Sequence, residues 1–282
     1  MISTDTRIVG IFGDPANGSL SPAMHNAAFA HLGLDWAYLP FNIDAEHLPA
    51  AVKAIRIFSW RGVNVTMPHK AAVIPHLDKI DERAARINSV NTIVNDGGCL
   101  TGHSTDGEGF LRALLDNDTD VNGANVRLIG TGGAARAVAD AIAKAGASSI
   151  TVFGRNETAG LKVCAISNAA AGKHICEFKR ISDRSNKDTP DADIFVNATP
   201  LGKQELDDDL TFLVNELKPT AVAVDLSTVP PLSAFLVAAQ LRGCKTANGL
   251  GMLVHQGSIS FEMWTGRPAP LDVMRKAVGE TT

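Results

Sequence analysis

Val126-Arg-Leu-Ile129-Gly130-Thr-Gly132-Gly133-Ala134-Ala135-Arg136 is the stretch on which the fold turns. A compact β-rich run, Val126–Ile129, passes through a glycine turn into an alanine-rich segment that reads as one long helix to Ala145. Gly130-x-Gly132-x-x-Ala135 is the dinucleotide-binding fingerprint with alanine in its third position. Gly130 permits the tight turn, Gly132 lets backbone approach a pyrophosphate, and Ala135 keeps helix and strand close. The helix start, with Gly133 and Ala134, offers unpaired N–H groups and a positive dipole end to phosphates. Glycines alone are weak evidence, because turns also collect them; the strand before and the helix after supply the weight.

The next strand bears on which dinucleotide is held. Thr151-Val-Phe153 runs into Gly154-Arg155-Asn156, with no carboxylate before Glu157. An NAD site usually ends this strand in Asp or Glu, which binds the ribose 2′-hydroxyl. A guanidinium there suits the 2′-phosphate of NADP. Arg155 and Asn156 are therefore read as cofactor-binding, with NADP the expectation and NAD the alternative.

Outward from this unit the alternation continues. Strands are expected at Ser149–Phe153, His174–Phe178, Asp193–Asn197 and Ala221–Asp225, as in a parallel, doubly wound sheet. Upstream, strands are expected at Arg7–Phe12, Trp36–Ile43 and Gly62–Thr66, and a hairpin turns at Asp96-Gly97-Gly98. Helices are expected from Ser21-Pro22 (Ser as N-cap), over Ala45–Arg56, near Lys70–Leu77, over Asp81–Ile87 and after Asp106. The segment Gly251–Lys276 is largely helical in pattern and returns to the first unit. The expected fold class is thus α/β: two α/β domains, residues 1–106 plus 252–282 and residues 107–251, the second doubly wound, with a cleft between them.

Bulk properties exclude other classes. The 282 residues are 45% hydrophobic and 20% charged, with a net charge of −4 and no basic run. Nucleic acid and membrane are not expected partners; a small-molecule substrate is, for a monomer or homodimer. Met1–Asp5 shows no secretory pattern, and no apolar run approaches the roughly 20 residues of a membrane span. The four cysteines are widely spaced, without a metal-ligand pattern, so no metal is expected and a cytoplasmic location is.

Four polar clusters remain: Ser19-Leu-Ser21-Pro22, Asn64-Val-Thr66-Met-Pro68-His-Lys70, Asn88-Ser-Val-Asn91-Thr92 and Ser104-Thr-Asp106-Gly107. Their hydroxyls, amides, one ammonium and one carboxylate suit a small, oxygen-rich anion. Singly each has an ordinary reading: Ser21 and Asp106 as helix caps, Asn91 as a turn residue.

Together with Gly130-x-Gly-Gly-Ala, Asn197-Ala-Thr199 and Gly249-Leu-Gly-Met-Leu-Val-His-Gln256, the clusters resemble the shikimate dehydrogenase family, in order and along essentially the whole chain. The resemblance implies that the first domain is an N-terminal α/β substrate domain and the second a Rossmann-type doubly wound NADP-binding domain. It also implies NADP-dependent, reversible reduction of 3-dehydroshikimate to shikimate, on the route to chorismate and the aromatic amino acids. It further implies Lys70 and Asp106 as the catalytic pair. Ser19 and Ser21 would hold the substrate carboxylate, and Asn64, Thr66, Asn91, Thr228 and Gln256 would bind the substrate or orient groups that do. Glu82, Thr199, Leu226 and Gly249 would join Gly130, Gly132, Gly133, Ala134, Ala135, Arg155 and Asn156 around the cofactor. His69, His103 and His255 are read as structural neighbours.

Three departures stand out. Ser104 replaces the family's usual Asn before Thr-Asp-Gly, a second Arg beyond Arg155 is missing, and Thr228 stands where a Tyr usually reaches the substrate. Tyr38, the chain's one tyrosine, lies elsewhere in the sequence. These departures keep open a paralogue acting on quinate or an aminoshikimate analogue, or using NAD. A nucleotide-binding regulator without turnover is argued against by the intact Lys70 and Asp106. A folate-processing dehydrogenase would need a pterin-sized aromatic pocket, and aromatics are only 5% of the chain.

Overall fold

Glycine- and proline-bounded hydrophobic runs build the first sheet. The computed structural model describes residues 2–183 and 191–280, and the chain falls into two compact units, Met1–Gly109 with Leu253–Thr282, and Phe110–Met252.

In the first unit β1 (Arg7–Gly13) pairs in parallel with both β2 (Trp36–Asn42) and β3 (Gly62–Val65). With β4 (Lys79–Ile80), β5 (Thr92–Asp96) and β6 (Cys99–His103), the sheet order is β2-β1-β3-β5-β6-β4. β5 is antiparallel to β3 and β6, so this sheet is mixed. The cause is the hairpin turn: Gly97 and Gly98 sit at φ 61° and 96°, conformations that side-chain-bearing residues rarely adopt.

Helices α1 (Ser21–His31), α2 (Leu48–Ile57), α3 (Glu82–Ile87) and α4 (Asp106–Asp116) follow in order. Two expectations are corrected by proline chemistry. α2 starts at Leu48 rather than Ala45, because Pro49 fits only the first turn, where its missing N–H costs nothing. The segment Lys70–Leu77 is a series of turns with one 3-10 turn at Ile74–His76; Pro75 withholds the donor an α-helix would need. A third correction concerns Ser21, which occupies the first helical position after Leu20 and makes no capping bond.

The sheet is covered on both faces. Val9, Ile11, Phe29 and Tyr38 pack with Val254, Phe261 and Trp264 of α9 (Leu250–Thr265) and Met274 of α10 (Leu271–Ala277). Phe12, Leu48, Val52, Ile55, Val63 and Ile93 form the other core. Burying each such side chain stabilises the unit by about 1.5–3 kcal/mol, which anchors the C-terminal return.

The second unit is all parallel, as its fingerprint requires. β7 (Asn125–Ile129), β8 (Ser149–Gly154), β9 (Cys176–Arg180), β10 (Ile194–Asn197), β11 (Val222–Asp225) and β12 (Lys245–Ala247) lie in the order β12-β11-β10-β7-β8-β9. Chain order reverses between β7 and β10, which makes the carboxyl end of β7 the switch point where such sheets bind ligands. Helices α5 (Gly133–Lys144), α6 (Glu157–Ala171), α7 (Asp208–Asn215) and α8 (Ala234–Leu241) cover its faces. β9 begins two residues later than expected, and the short, polar β12 carries no β-pattern that would have announced it. No helix among the described residues is long and apolar enough to cross a membrane.

Candidate active site

Turns at the carboxyl ends of β3 and β6 bring the first unit's polar residues together. Lys70 lies in the turn region after β3 and Asp106 opens α4; Lys70 Nζ donates to Asp106 Oδ2 at 2.5 Å. Their side chains are 20% and 7% exposed, so the ammonium stays reachable while the carboxylate is enclosed.

Asn91, at the start of β5, organises that carboxylate. Its Nδ2 donates to Asp106 Oδ1 (2.9 Å), Thr105 Oγ1 (2.8 Å) and Gln256 Oε1 (3.2 Å), and its Oδ1 accepts from Thr105 N (2.8 Å). Gln256 reaches this cluster because Gly109 lets α4 and α9 approach: a Cβ on Gly109 would stand 2.6 Å from Gln256 N. Lys70, Asn91, Asp106 and Gln256 thus form one constellation, held by hydrogen bonds from four segments of chain.

Asn64 has a different position. Its Oδ1 accepts from the Tyr38 hydroxyl at 2.8 Å, and its Nδ2 faces Asn91 O, Thr92 Oγ1 and Ser260 Oγ at 3.0–3.1 Å. Both ends of the amide are engaged within the protein, so its geometry suits orienting the site more than touching a ligand. Thr66, just beyond β3, is half-buried, and its hydroxyl makes no hydrogen bond among the described residues. Ser21 is buried; Ser19 Oγ accepts from its backbone N–H at 3.2 Å, fixing the two serines against each other.

The three histidines beside the motifs are tied to structure. His69 Nε2 meets Ile43 O at 2.5 Å, His103 Nδ1 meets Asp81 Oδ2 at 3.0 Å, and His255 Nε2 faces Arg275. Burial, the largest influence on Asp81, pushes its carboxyl up. His103, Ala84 N–H and Ser104 N–H together outweigh it and leave Asp81 below the usual carboxylate range. Ser104 is 4% exposed and its hydroxyl has no hydrogen-bond partner among the described residues, so it makes no side-chain bond there in place of an amide. Glu82, in the first turn of α3, is exposed.

Thr92 and Thr105 fall inside the polar clusters read from the sequence but are given no role there, and Tyr38 and Ser260 are not read as members of this network. Ser260 was within reach, since it lies four residues beyond Gln256 on the same helical face. Tyr38 had no local signal, because its partner is 26 residues away on another strand.

In the second unit the residues fit a dinucleotide. Gly130 sits at φ 118°, and a Cβ there would come within 3.0 Å of Ala198 O and Thr199 Cγ2, so the protein itself demands glycine. Gly132 differs: its φ of −76° is ordinary and an added Cβ would meet nothing within 4 Å. That open space above the N-terminus of α5 is what a pyrophosphate would use. Gly133 and Ala134 begin α5, and the buried Ala135 packs in the core beneath it.

Thr199 hydrogen-bonds to Asn197 Oδ1 at 2.7 Å, shaping the loop beside Gly130. Leu226 packs against the core, and Gly249 is required because a Cβ would collide with Leu226 O. Asn156 caps α6, its Oδ1 accepting from Ala159 N at 2.9 Å, while Arg155 is exposed. Thr228 is half-buried in the loop after β11. The described residues contain no group of three or more side chains that could hold a metal.

Comparison with known proteins bears on both units. A family model described as the shikimate dehydrogenase substrate binding domain matches residues 11–93, and one described as the shikimate 5′-dehydrogenase C-terminal domain matches residues 249–278. The shikimate dehydrogenase (NADP(+)) of Alkaliphilus metalliredigens (strain QYMF) is 39% identical over 283 residues, covering 98% of each chain. A crystal structure of a shikimate dehydrogenase in complex with NADP+ superposes with a TM-score of 0.91 at 33% identity, covering 100% of this chain and 98% of that one. The ligand-free 5-ketofructose reductase of Gluconobacter sp. strain CHM43 reaches a TM-score of 0.85 at 34% identity, with 98% and 99% covered.

Proposed function

This chain belongs to the shikimate dehydrogenase family, and from that premise we propose that it catalyses the NADP-dependent, reversible reduction of 3-dehydroshikimate to shikimate. The observation that carries the reading is the Lys70–Asp106 pair, held in a lattice of amides and hydroxyls that an oxygen-rich acid can join. The pathway step follows from the family: the product serves chorismate and aromatic amino acid synthesis.

A reduced nicotinamide, when bound, supplies hydride to the ketone carbon. The protein's part is to meet the negative charge that then builds on oxygen. Lys70 Nζ donates a hydrogen bond to that oxygen and delivers the proton that makes it a hydroxyl; positioned acid–base catalysis of this kind contributes ~10²–10⁴-fold. In the oxidative direction the neutral amine accepts the alcohol proton. Being one-fifth exposed, Lys70 exchanges that proton with solvent.

Asp106 keeps the ammonium aimed and accepts from the substrate hydroxyl, while Asn91 holds its second oxygen. Ser19 and Ser21 take the substrate carboxylate, Thr66 and Gln256 its hydroxyls, and Asn64 orients them. Gly130, Gly132, Gly133, Ala134, Ala135, Thr199, Leu226 and Gly249 accommodate the dinucleotide. Arg155 and Asn156 bind its 2′-phosphate end, and Glu82 is a further cofactor contact.

Thr228 supports a second reading. Without the usual Tyr, the pocket loses one phenolic donor, which favours a broader set of polyol acids, quinate among them. The test of the main reading is direct. Purified protein supplied with 3-dehydroshikimate and NADPH should yield shikimate in equal amount to NADP+, identified chromatographically; absence of shikimate would defeat it.

A further inference from the structure

We propose that Arg180, on β9, is the second cation of the 2′-phosphate site, supplying from a neighbouring strand what the sequence after Arg155 lacks. The inference rests on the NADP reading above. Gly154, the last residue of β8, is in register with Arg180, the last of β9, and Ile181 N donates to Gly154 O at 3.1 Å. Parallel neighbours stand about 4.8 Å apart, so Arg180 starts beside the turn that carries Arg155 and Asn156.

Its side chain reaches the start of α6. Arg180 Nη2 donates to Glu157 Oε2 at 2.9 Å, in the first turn of that helix. The approach is fixed by Gly160, where a Cβ would run into the Phe178 ring, so α6 lies hard against β9. Arg155 makes no ion pair among the described residues and is exposed. The turn between β8 and α6 is therefore bordered by two guanidinium groups and a helix N-terminus.

Glu157, the first residue of α6, is the carboxylate that closes that turn, and Arg180 engages it. In a site built for NAD such a carboxylate would be left to accept from the ribose 2′-hydroxyl. Here the Arg180 contact neutralises it and leaves further guanidinium N–H groups, which suit a phosphate dianion. The pair is solvent-exposed, at 60% for Arg180 and 55% for Glu157, so it adds little to stability and its geometry is free to serve a ligand.

The test measures binding alone, by calorimetry on the full chain, with adenosine 2′,5′-bisphosphate and AMP as probes. The intact protein should bind the bisphosphate more tightly. Arg180→Ala should weaken the bisphosphate about 5- to 20-fold and leave AMP within about twofold, as should Arg155→Ala. Glu157→Gln should strengthen the bisphosphate about 2- to 5-fold. Arg180→Ala that shifts both probes equally, or neither, overturns the proposal, as does a Glu157→Gln that weakens AMP instead. If the intact protein does not prefer the bisphosphate, the NADP reading itself fails, a result distinct from an unaffected Arg180→Ala.

Discussion

Lys70 Nζ lies 2.5 Å from Asp106 Oδ2, and the carboxylate's other oxygen is taken by Asn91 Nδ2 at 2.9 Å. Asp106 is thereby held from both sides, with one lone-pair direction left on each oxygen. Replacing Lys70 by Met, or Asp106 by Asn, should lower kcat by ~10²–10⁴-fold while nucleotide Kd changes less than about twofold. The double variant should lose little more than the worse single one, because the two act as a unit. Multiplicative losses in stopped-flow or steady-state rates would show independent roles.

Asn64 and Thr66 lie two residues apart yet should fail differently. Both ends of the Asn64 amide are used internally, so Asn64→Leu leaves buried partners unsatisfied and should cost about 1–3 kcal/mol in urea unfolding. Tyr38→Phe should cost a similar amount by orphaning Asn64 Oδ1. Thr66→Val, with no internal bond to break, should keep stability within about 0.5 kcal/mol and raise KM for the acid substrate. A Thr66→Val protein with unchanged KM would remove that hydroxyl from binding.

Gly130 and Gly132 separate fold from ligand in the same way. Gly130→Ala meets Ala198 O and Thr199 at a left-handed φ, so it should destabilise the second unit by about 1–3 kcal/mol. Gly132→Ala meets no protein atom and should leave Tm within about 2 °C, while weakening dinucleotide binding by at least about tenfold. Calorimetric Tm and Kd on the two variants check the contrast, and tight binding by Gly132→Ala would place the pyrophosphate elsewhere.

These contrasts mark what the sequence disclosed and what it could not. Gly130-x-Gly-x-x-Ala135 was readable because strand, turn and helix are contiguous, and so was the C-terminal return, whose apolar residues Val254, Phe261 and Trp264 recur at helical spacing. The helix expected at Lys70–Leu77 does not form, because Pro75 lacks the N–H that an α-helix would need there. Tyr38, Asn64 and Ser260 meet only once the sheet and α9 are assembled, and no pattern along the chain encodes that meeting. Arg180 comes to lie beside Gly154 in the same way, through strand register that no pattern along the chain encodes.

His25 gives a pH-dependent prediction. It is fully buried, stacked on Tyr38 at 4.5 Å between ring centroids, and neither ring nitrogen has a hydrogen-bond partner among the described residues. Burial lowers its pKa from 6.5 to about 3. The unfolded chain therefore takes up the proton first, so this residue's contribution is intact above about pH 6.5 and is lost as pH falls toward 3. Between pH 7 and 4.5 the loss should be roughly 2–3 kcal/mol. His25→Phe should flatten the urea-derived stability profile by that amount over that range, and an unchanged acid slope would assign the loss to other groups.

The central claim is a reaction and a cofactor, and kcat/KM for shikimate and quinate, each with NADP+ and NAD+, tests both at once. The account predicts the highest value for shikimate with NADP+, and for Lys70→Met a collapse in all four combinations. Turnover of quinate with NAD+ at a higher kcat/KM, or no oxidation of shikimate with either cofactor, would contradict it.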